Sequence, residues 1–264
     1  MKTAYIYNIF QRWAFLAAVI LLIVMSFLST TIPFGGQTVA DVNAKYHTLI
    51  TPAGYAYSIW GVIYIFMAVF AVFQLNKGKN IRFFRLVFPY FLVNVISNVL
   101  WLLAFQHELI GLSTFFMLVT LASLILIFQK FYRLKHMLST THRYFFQMPF
   151  SLYFGWITIA TIVNISAFLS TFNFAILESS GEIVAIIVLI AVALLGLYVL
   201  LIKKDYIYTF AMVWAFIAIW IGQLDVPSVM NTAKFAAIGL LAAMAIKFTA
   251  DCIRVAQYGR AAST

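Results

Sequence analysis

The sequence predicts an all-α polytopic membrane protein, a helical bundle of about eight transmembrane helices, and three observations carry that reading. Hydrophobic residues make up 65% of the 264 positions and charged residues 9%, whereas a soluble domain is about one quarter charged. Eight mostly apolar stretches lie between polar breaks, each close to the roughly 20 residues that cross a bilayer. The cations gather in every second break.

The first stretch, residues 13–33, follows Lys2 and Arg12. Its apolar core exceeds the roughly 7–15 residues of a signal-peptide core, so it is expected to stay as an anchor rather than be cleaved near Ala40. A loop over residues 34–51 carries Gly35, Gly36, Asp41, Asn43 and His47. It is either a lid over an outward-facing site or a plain connector. The second stretch, 52–75, starts on Thr51-Pro52, where proline's missing N–H is not needed. The third, fourth and fifth cover 84–106, 109–132 and 146–168. The sixth, 183–202, is almost uniformly aliphatic, and 206–223 and 233–253 are mostly Ala, Ile, Phe and Met. Composition changes near residues 173–182. The chain is therefore expected to divide into a five-helix core over 1–172 and a three-helix extension over 173–264.

Charge sets the expected orientation. Lys2 and Arg12 precede the first span, and Lys77, Lys79, Arg82 and Arg85 follow the second. Lys130, Arg133, Lys135 and Arg143 follow the fourth, Lys203 and Lys204 the sixth, and Arg254 and Arg260 end the eighth. The alternate loops hold Asp41, Glu108, Glu178, Glu182 and Asp225 against only Lys45 and Lys234. This is the positive-inside pattern, with both termini cytoplasmic, and a bacterial cytoplasmic membrane is the expected location. The net charge of +10 is thus accounted for by loops facing anionic lipid. Nucleic acid is excluded as a partner, since no folded domain offers a basic face. The single cysteine, Cys252, excludes an internal disulfide.

Three spans carry polar and aromatic stripes at helical spacing. Tyr57, Trp60, Gly61 and Tyr64 share a face of the second; Asn94, Asn98, Trp101 and Phe105 share one of the third. Pro149, Tyr153, Trp156, Ala160 and Asn164 share one of the fifth. An asparagine amide facing hydrocarbon would be unsatisfied at several kcal/mol, so these stripes must turn inward. Interhelical hydrogen bonding, about 0.6 kcal/mol per contact, would explain any one of them. Together they point to a cavity, since converging aromatics suit a flat apolar ligand. Trp13, Tyr55 and Tyr132 lie at span ends, where aromatic residues mark the interface.

The run Trp60-Gly61-Val62-Ile63-Tyr64, the pair Asn98 and Trp101, and Trp156 to Asn164 with Ala160 between them resemble the tryptophan-rich sensory protein family, that of the translocator protein or peripheral-type benzodiazepine receptor. The resemblance covers roughly residues 10–170. It implies a five-helix bundle whose central cavity binds tetrapyrroles, sterol-like lipids or benzodiazepine-type ligands. Trp60, Tyr64, Asn98, Trp101, Trp156 and Ala160 would line or support that cavity, and Tyr57, Asn94, Tyr153 and Asn164 join them on the stripes. This chain departs from the family pattern in Pro52-Ala53 where a double proline is expected, in the earlier place of Pro149, and in its three further helices.

No nucleophile elbow, HExxH pair, phosphate loop or cysteine cluster is present, so no enzyme motif supports catalysis. His47, His107, His136 and His142 fall in loops or at helix ends without an i, i+4 partner, so no metal site is expected; only His47 sits where a ligand could enter. Lys247 and Asp251 form the one charged pair within a span, and snorkelling or pairing explains it. The expected function is a membrane receptor or sensor-like protein holding a planar hydrophobic ligand. The alternative is a permease for a lipophilic metabolite without proton coupling. No cofactor is required by any motif; a porphyrin or haem-like ligand is what the resemblance implies. The expected partners are the bilayer and a hydrophobic small molecule, with a homodimer as the open alternative to a monomer.

Overall fold

The computed structural model describes residues 2–75, 81–138, 140–172 and 175–261, and within them no strand occurs. Lys77, Lys79 and Asn173 lie outside the described residues. The helices are α1 (Lys2–Thr31), α2 (Val39–Lys45), α3 (Ile59–Phe73), α4 (Ile81–Gln106), α5 (Ile110–Leu134), α6 (Thr140–Ser170), α7 (Ala175–Tyr198), α8 (Tyr206–Gly222) and α9 (Pro227–Ala261). A 3₁₀ turn, Gly54–Ser58, leads into α3, and a π turn, Val199–Lys203, ends α7. Seven helical segments are long and apolar enough to cross a membrane, and α8, at 17 residues, is a shorter apolar helix. These correspond to the eight expected spans. The chain is an integral membrane protein built as a polytopic helical bundle.

Five spans close into a ring. Helix α1 packs on α3 and α4, α4 on α5, α5 on α6, and α6 back on α3. The C-terminal helices attach through α8, which packs on α6, while α9 packs on both α7 and α8. The α6–α8 contact is close because Gly155 has no side chain: a Cβ there would meet the Tyr208 carbonyl at 2.6 Å. Helix α8 also holds the start of α3. The Ala218 carbonyl accepts from Ala53 N at 2.9 Å, Trp214 Nε1 donates to the Ala56 carbonyl at 3.0 Å, and Gln223 Nε2 donates to the Thr51 carbonyl at 2.9 Å. Backbone groups that leave regular structure inside a bundle need such partners.

The ring interior changes character along its axis. At the end where the cations lie it is solid phenylalanine: Phe15 stacks on Phe91 at 4.0 Å, Phe146 on Phe150 at 4.4 Å, and Phe70 and Phe131 meet the latter pair edge-on or stacked. Towards the opposite end the filling becomes tryptophan, tyrosine and asparagine. One short helix was not expected from the sequence. Helix α2 forms in the loop after α1 because Thr38 and Asp41 make a reciprocal capping box, which satisfies donors that an isolated turn would leave free.

Candidate functional site

The stripe residues meet in the upper half of the ring. Trp60 is the hub: its ring stacks on Tyr64 at 5.4 Å and faces Trp101 at 6.4 Å. It also lies 5.6 Å from Tyr153 and meets Trp156 edge-on at 6.4 Å. Tyr57 meets Trp156 edge-on at 6.0 Å, and Trp101 stacks on Phe105 at 5.6 Å. Edge-on and offset contacts at these separations are the favourable geometries for ring quadrupoles.

Two spaces border this cluster. An inner one of about 20 Å³ is lined by Tyr57, Trp60, Trp101, Trp156, Ala160 and Asn164, with Asn43 and Pro52 above. That is room for roughly one water. A lateral one of about 500 Å³ lies between α1, α3 and α4 beneath α2. Its walls are Tyr57, Trp60, Gly61, Tyr64 and Trp101 on one side and Ile23, Ser26, Phe27, Ser29 and Thr30 on the other, with Thr38, Val39 and Ala40 above. Small-molecule sites commonly have this volume and this mostly apolar lining with a few hydroxyls. The Tyr64 hydroxyl is hydrogen-bonded to Ser26, which joins α3 to α1 across the floor.

The polar stripe residues divide into two groups. Asn94 lines neither cavity: it turns to α5, where its Nδ2 donates to Ser123 Oγ at 2.9 Å and to the Thr120 carbonyl at 3.3 Å. Asn164 borders the inner space but is also an interhelical contact, accepting from Thr114 Oγ1 at 2.8 Å and Ser113 Oγ at 3.3 Å. Of the three stripe asparagines expected at a ligand, Asn94 and Asn164 thus bond to hydroxyls that α5 brings to them. Asn98 and Tyr153 are buried beside the cavities rather than in their walls, and the Tyr153 hydroxyl sits among the Asn94 and Asn98 amides. Among the described residues, the buried indole N–H groups of Trp101 and Trp156 meet no acceptor. A buried donor left unpaired costs about 1–3 kcal/mol.

Helix α2 roofs the lateral cavity, and Glu108 fastens it. Its carboxylate accepts from Lys45 Nζ at 2.5 Å, Gln37 Nε2 at 2.6 Å and the Tyr46 hydroxyl at 3.0 Å. The Lys45 bond chiefly, then Gln37 and Tyr46, hold the carboxyl at about 2. The loop before α2 lies against α4: Gln106 Nε2 donates to the Ser29 carbonyl at 2.7 Å, and Phe34 N donates to Gln106 Oε1 at 3.2 Å. Any side chain on Gly35 would collide with the Gln106 carbonyl.

Reasoning from sequence offered the loop over residues 34–51 as a lid or a connector, but missed the helix within it, the α1 wall and the Glu108 fastener. Ser26, Ser29 and Thr30 at helical spacing were a usable signal for the wall; no local signal marks Glu108 as the partner of α2. His47 lies elsewhere, in a third space of about 260 Å³ between the outer loop, α6 and α7. Lys247 and Asp251 pair at 2.8 Å as expected. No three His, Cys, Asp or Glu side chains converge among the described residues.

Compared with known proteins, the chain matches the family model described as TSPO-like protein over residues 12–246, which takes in the five-helix ring and α7, α8 and most of α9. No curated protein and no solved structure matches it. The matched span, joined to an aromatic cup inside a five-helix ring, places the chain: it belongs to the TSPO-like protein family.

Proposed function

We propose that this membrane protein is a receptor or sensor-like protein that takes a planar hydrophobic ligand, a tetrapyrrole or a sterol-like lipid, into the lateral cavity. The observation that carries this reading is the cavity of about 500 Å³ walled by Tyr57, Trp60, Tyr64 and Trp101. Flat rings stack on such walls, and the hydroxyls of Ser26, Ser29 and Thr30 opposite them can orient a polar edge. The residues present fit a porphyrin as a plane: the lining offers aromatic faces but no imidazole or thiolate. The ring system rather than a central metal is what those walls would recognise.

The experiment is titration of the purified chain with protoporphyrin, read as quenching of tryptophan fluorescence. Gly61 lines the cavity, and a Cβ there meets nothing within 4 Å, so a side chain can start from this position without a backbone clash, and Gly61→Leu is chosen to narrow the space. Saturable quenching that Gly61→Leu weakens by tenfold or more, about 1.4 kcal/mol, is the expected result. No saturable quenching, or equal quenching in the variant, would count against it.

A permease for a lipophilic metabolite is the second reading, favoured by the fact that the same three rings, Tyr57, Trp60 and Trp101, border both spaces and could part to join them. The phenylalanine plug beyond the inner space weighs against a through path. Saturable flux of a hydrophobic dye across liposomes, indifferent to a proton gradient, would favour the permease over the receptor.

A further inference from the structure

The end of the bundle that carries the cations holds a second feature, separate from the aromatic cup. Helix α7 widens into the π turn Val199–Lys203, Lys204 takes a left-handed φ of 57°, and Asp205 is completely buried. Both backbone features are uncommon, and they persist only where the surroundings fix them, often at functional sites. Here the fixing contacts are plain. Ser151 Oγ donates to the Asp205 carboxylate at 2.5 Å, and the N–H groups of Ile207 and Tyr208 donate to it at 3.1 Å. The Tyr132 hydroxyl donates to the Lys203 carbonyl at 2.8 Å. The turn is thereby tied to α5 and α6.

What the tying achieves is to bring cations from three elements together. Lys135 Nζ lies 4.5 Å and Lys203 Nζ 5.8 Å from the centre of the same Tyr132 ring. Burial first, then Arg143 and Lys204, hold the Lys135 ammonium below its usual range; Lys203 adds to this and Asp205 acts against it. None of the four is in an ion pair among the described residues. The nearby acids are already engaged: Asp205 by the donors above, and Asp251 by Lys247 at 2.8 Å and Tyr206 at 2.9 Å. A positive-inside charge bias requires only cations somewhere in the loop; it does not require a π turn, a left-handed lysine and a buried aspartate to converge them.

We propose that Lys135, Arg143, Lys203 and Lys204 form a binding site for the phosphate group of an anionic membrane lipid. Like charges gathered around one ring repel, and a phosphate among them relieves the repulsion while accepting charge-assisted hydrogen bonds. A lipid is the source that matches the surroundings. Leu201 and Ile202, next to the cluster in the π turn, are 48% and 63% exposed, which leaves apolar surface for acyl chains beside the charged group.

Native mass spectrometry of the full chain released from detergent tests this, with phosphatidylglycerol and phosphatidylcholine supplied in equal amounts. Phosphatidylglycerol should be retained preferentially. The double variant Lys135→Gln/Lys203→Gln should weaken its retention by about thirtyfold, two cations at roughly 1 kcal/mol each. Lys135→Arg/Lys203→Arg should restore retention, which separates loss of charge from loss of fold. Arg254→Gln removes a charge from the same end of the molecule and should leave retention intact. Equal retention of the two lipids, or an equal loss in Arg254→Gln, would overturn the proposal by reducing it to a general charge effect. Displacement of the bound lipid by millimolar inorganic phosphate would overturn it in favour of a dissolved anion; indifference to phosphate supports the lipid.

Discussion

Trp60 and Trp101 face one another at 6.4 Å with their planes 29° apart, and both rings border the inner and the lateral cavity. One aromatic layer therefore separates a space for roughly one water from a space for a small molecule. The Trp101 indole N–H within that layer is buried without an acceptor. Trp101→Phe keeps a ring in the wall and removes the orphan donor, so it should cost less than about 1.5 kcal/mol in reversible unfolding. Trp101→Ala, which removes the wall itself, should cost about 3–5 kcal/mol. Similar losses in the two variants would show that the N–H is satisfied in the native protein.

The roof over the lateral cavity depends on Glu108. Its carboxyl is held at about 2, below the 4.5 of an unperturbed glutamate. A lowered acid favours the docked α2 at pH above about 4.5 and loses that contribution as pH falls towards 2. Amide exchange in Val39–Lys45, corrected for intrinsic rates, should accelerate over that window. Glu108→Gln should show the faster exchange at neutral pH and keep only the acid dependence that comes from the Asp41 cap, whose carboxyl is also lowered by its hydrogen bonds to Thr38.

Helix α8 docks on α6 through a close approach at Gly155. A methyl group on residue 155 would meet the Tyr208 carbonyl at 2.6 Å and Ala211 Cβ at 2.8 Å. Gly155→Ala should destabilise the protein by about 1–3 kcal/mol, the usual cost of overpacking, seen as a lower midpoint of thermal unfolding in detergent. An unchanged midpoint would mean that α6 and α8 can separate freely.

Asp205 contributes as an acceptor more than as a charge. Its carboxylate caps α8 and receives Ser151, while burial raises its pKa above that of an ordinary aspartate. Asp205→Asn retains a capping oxygen and should be nearly neutral for stability. Asp205→Ala should cost about 1–2 kcal/mol, measured by the same unfolding midpoint.

These residues also show what a sequence discloses and what it withholds. The eight spans were legible because the bilayer imposes its demand on each segment separately: backbone groups must be satisfied within the helix, and the surface must be apolar. The inward turn of the Trp60, Trp101 and Trp156 stripes was legible for the same reason. Whether a stripe asparagine meets a cavity or a neighbouring hydroxyl depends on which helix lies opposite. Asn94 and Asn164 found Ser123 and Thr114 on α5, whose buried Ser113, Met117, Thr120 and Leu124 follow helical spacing and could have been read as a facing stripe. Glu108 and Asp205 stand in loops between spans and look solvated in sequence. Their partners come from distant segments, Gln37 and Lys45 for one and Ser151 for the other, and no local pattern joins them.

The measurement that bears most directly on ligand binding in the lateral cavity is photo-crosslinking with a photoreactive porphyrin, followed by peptide mapping of the labelled chain. Label confined to the cavity walls, residues 23–30 of α1, 38–40 at the start of α2, 57–64 of the 3₁₀ turn and α3, and 101–102 of α4, and competed away by excess protoporphyrin, is the expected result. Label spread over the lipid-facing surface of α7 and α9, or label that competitor does not displace, would contradict it.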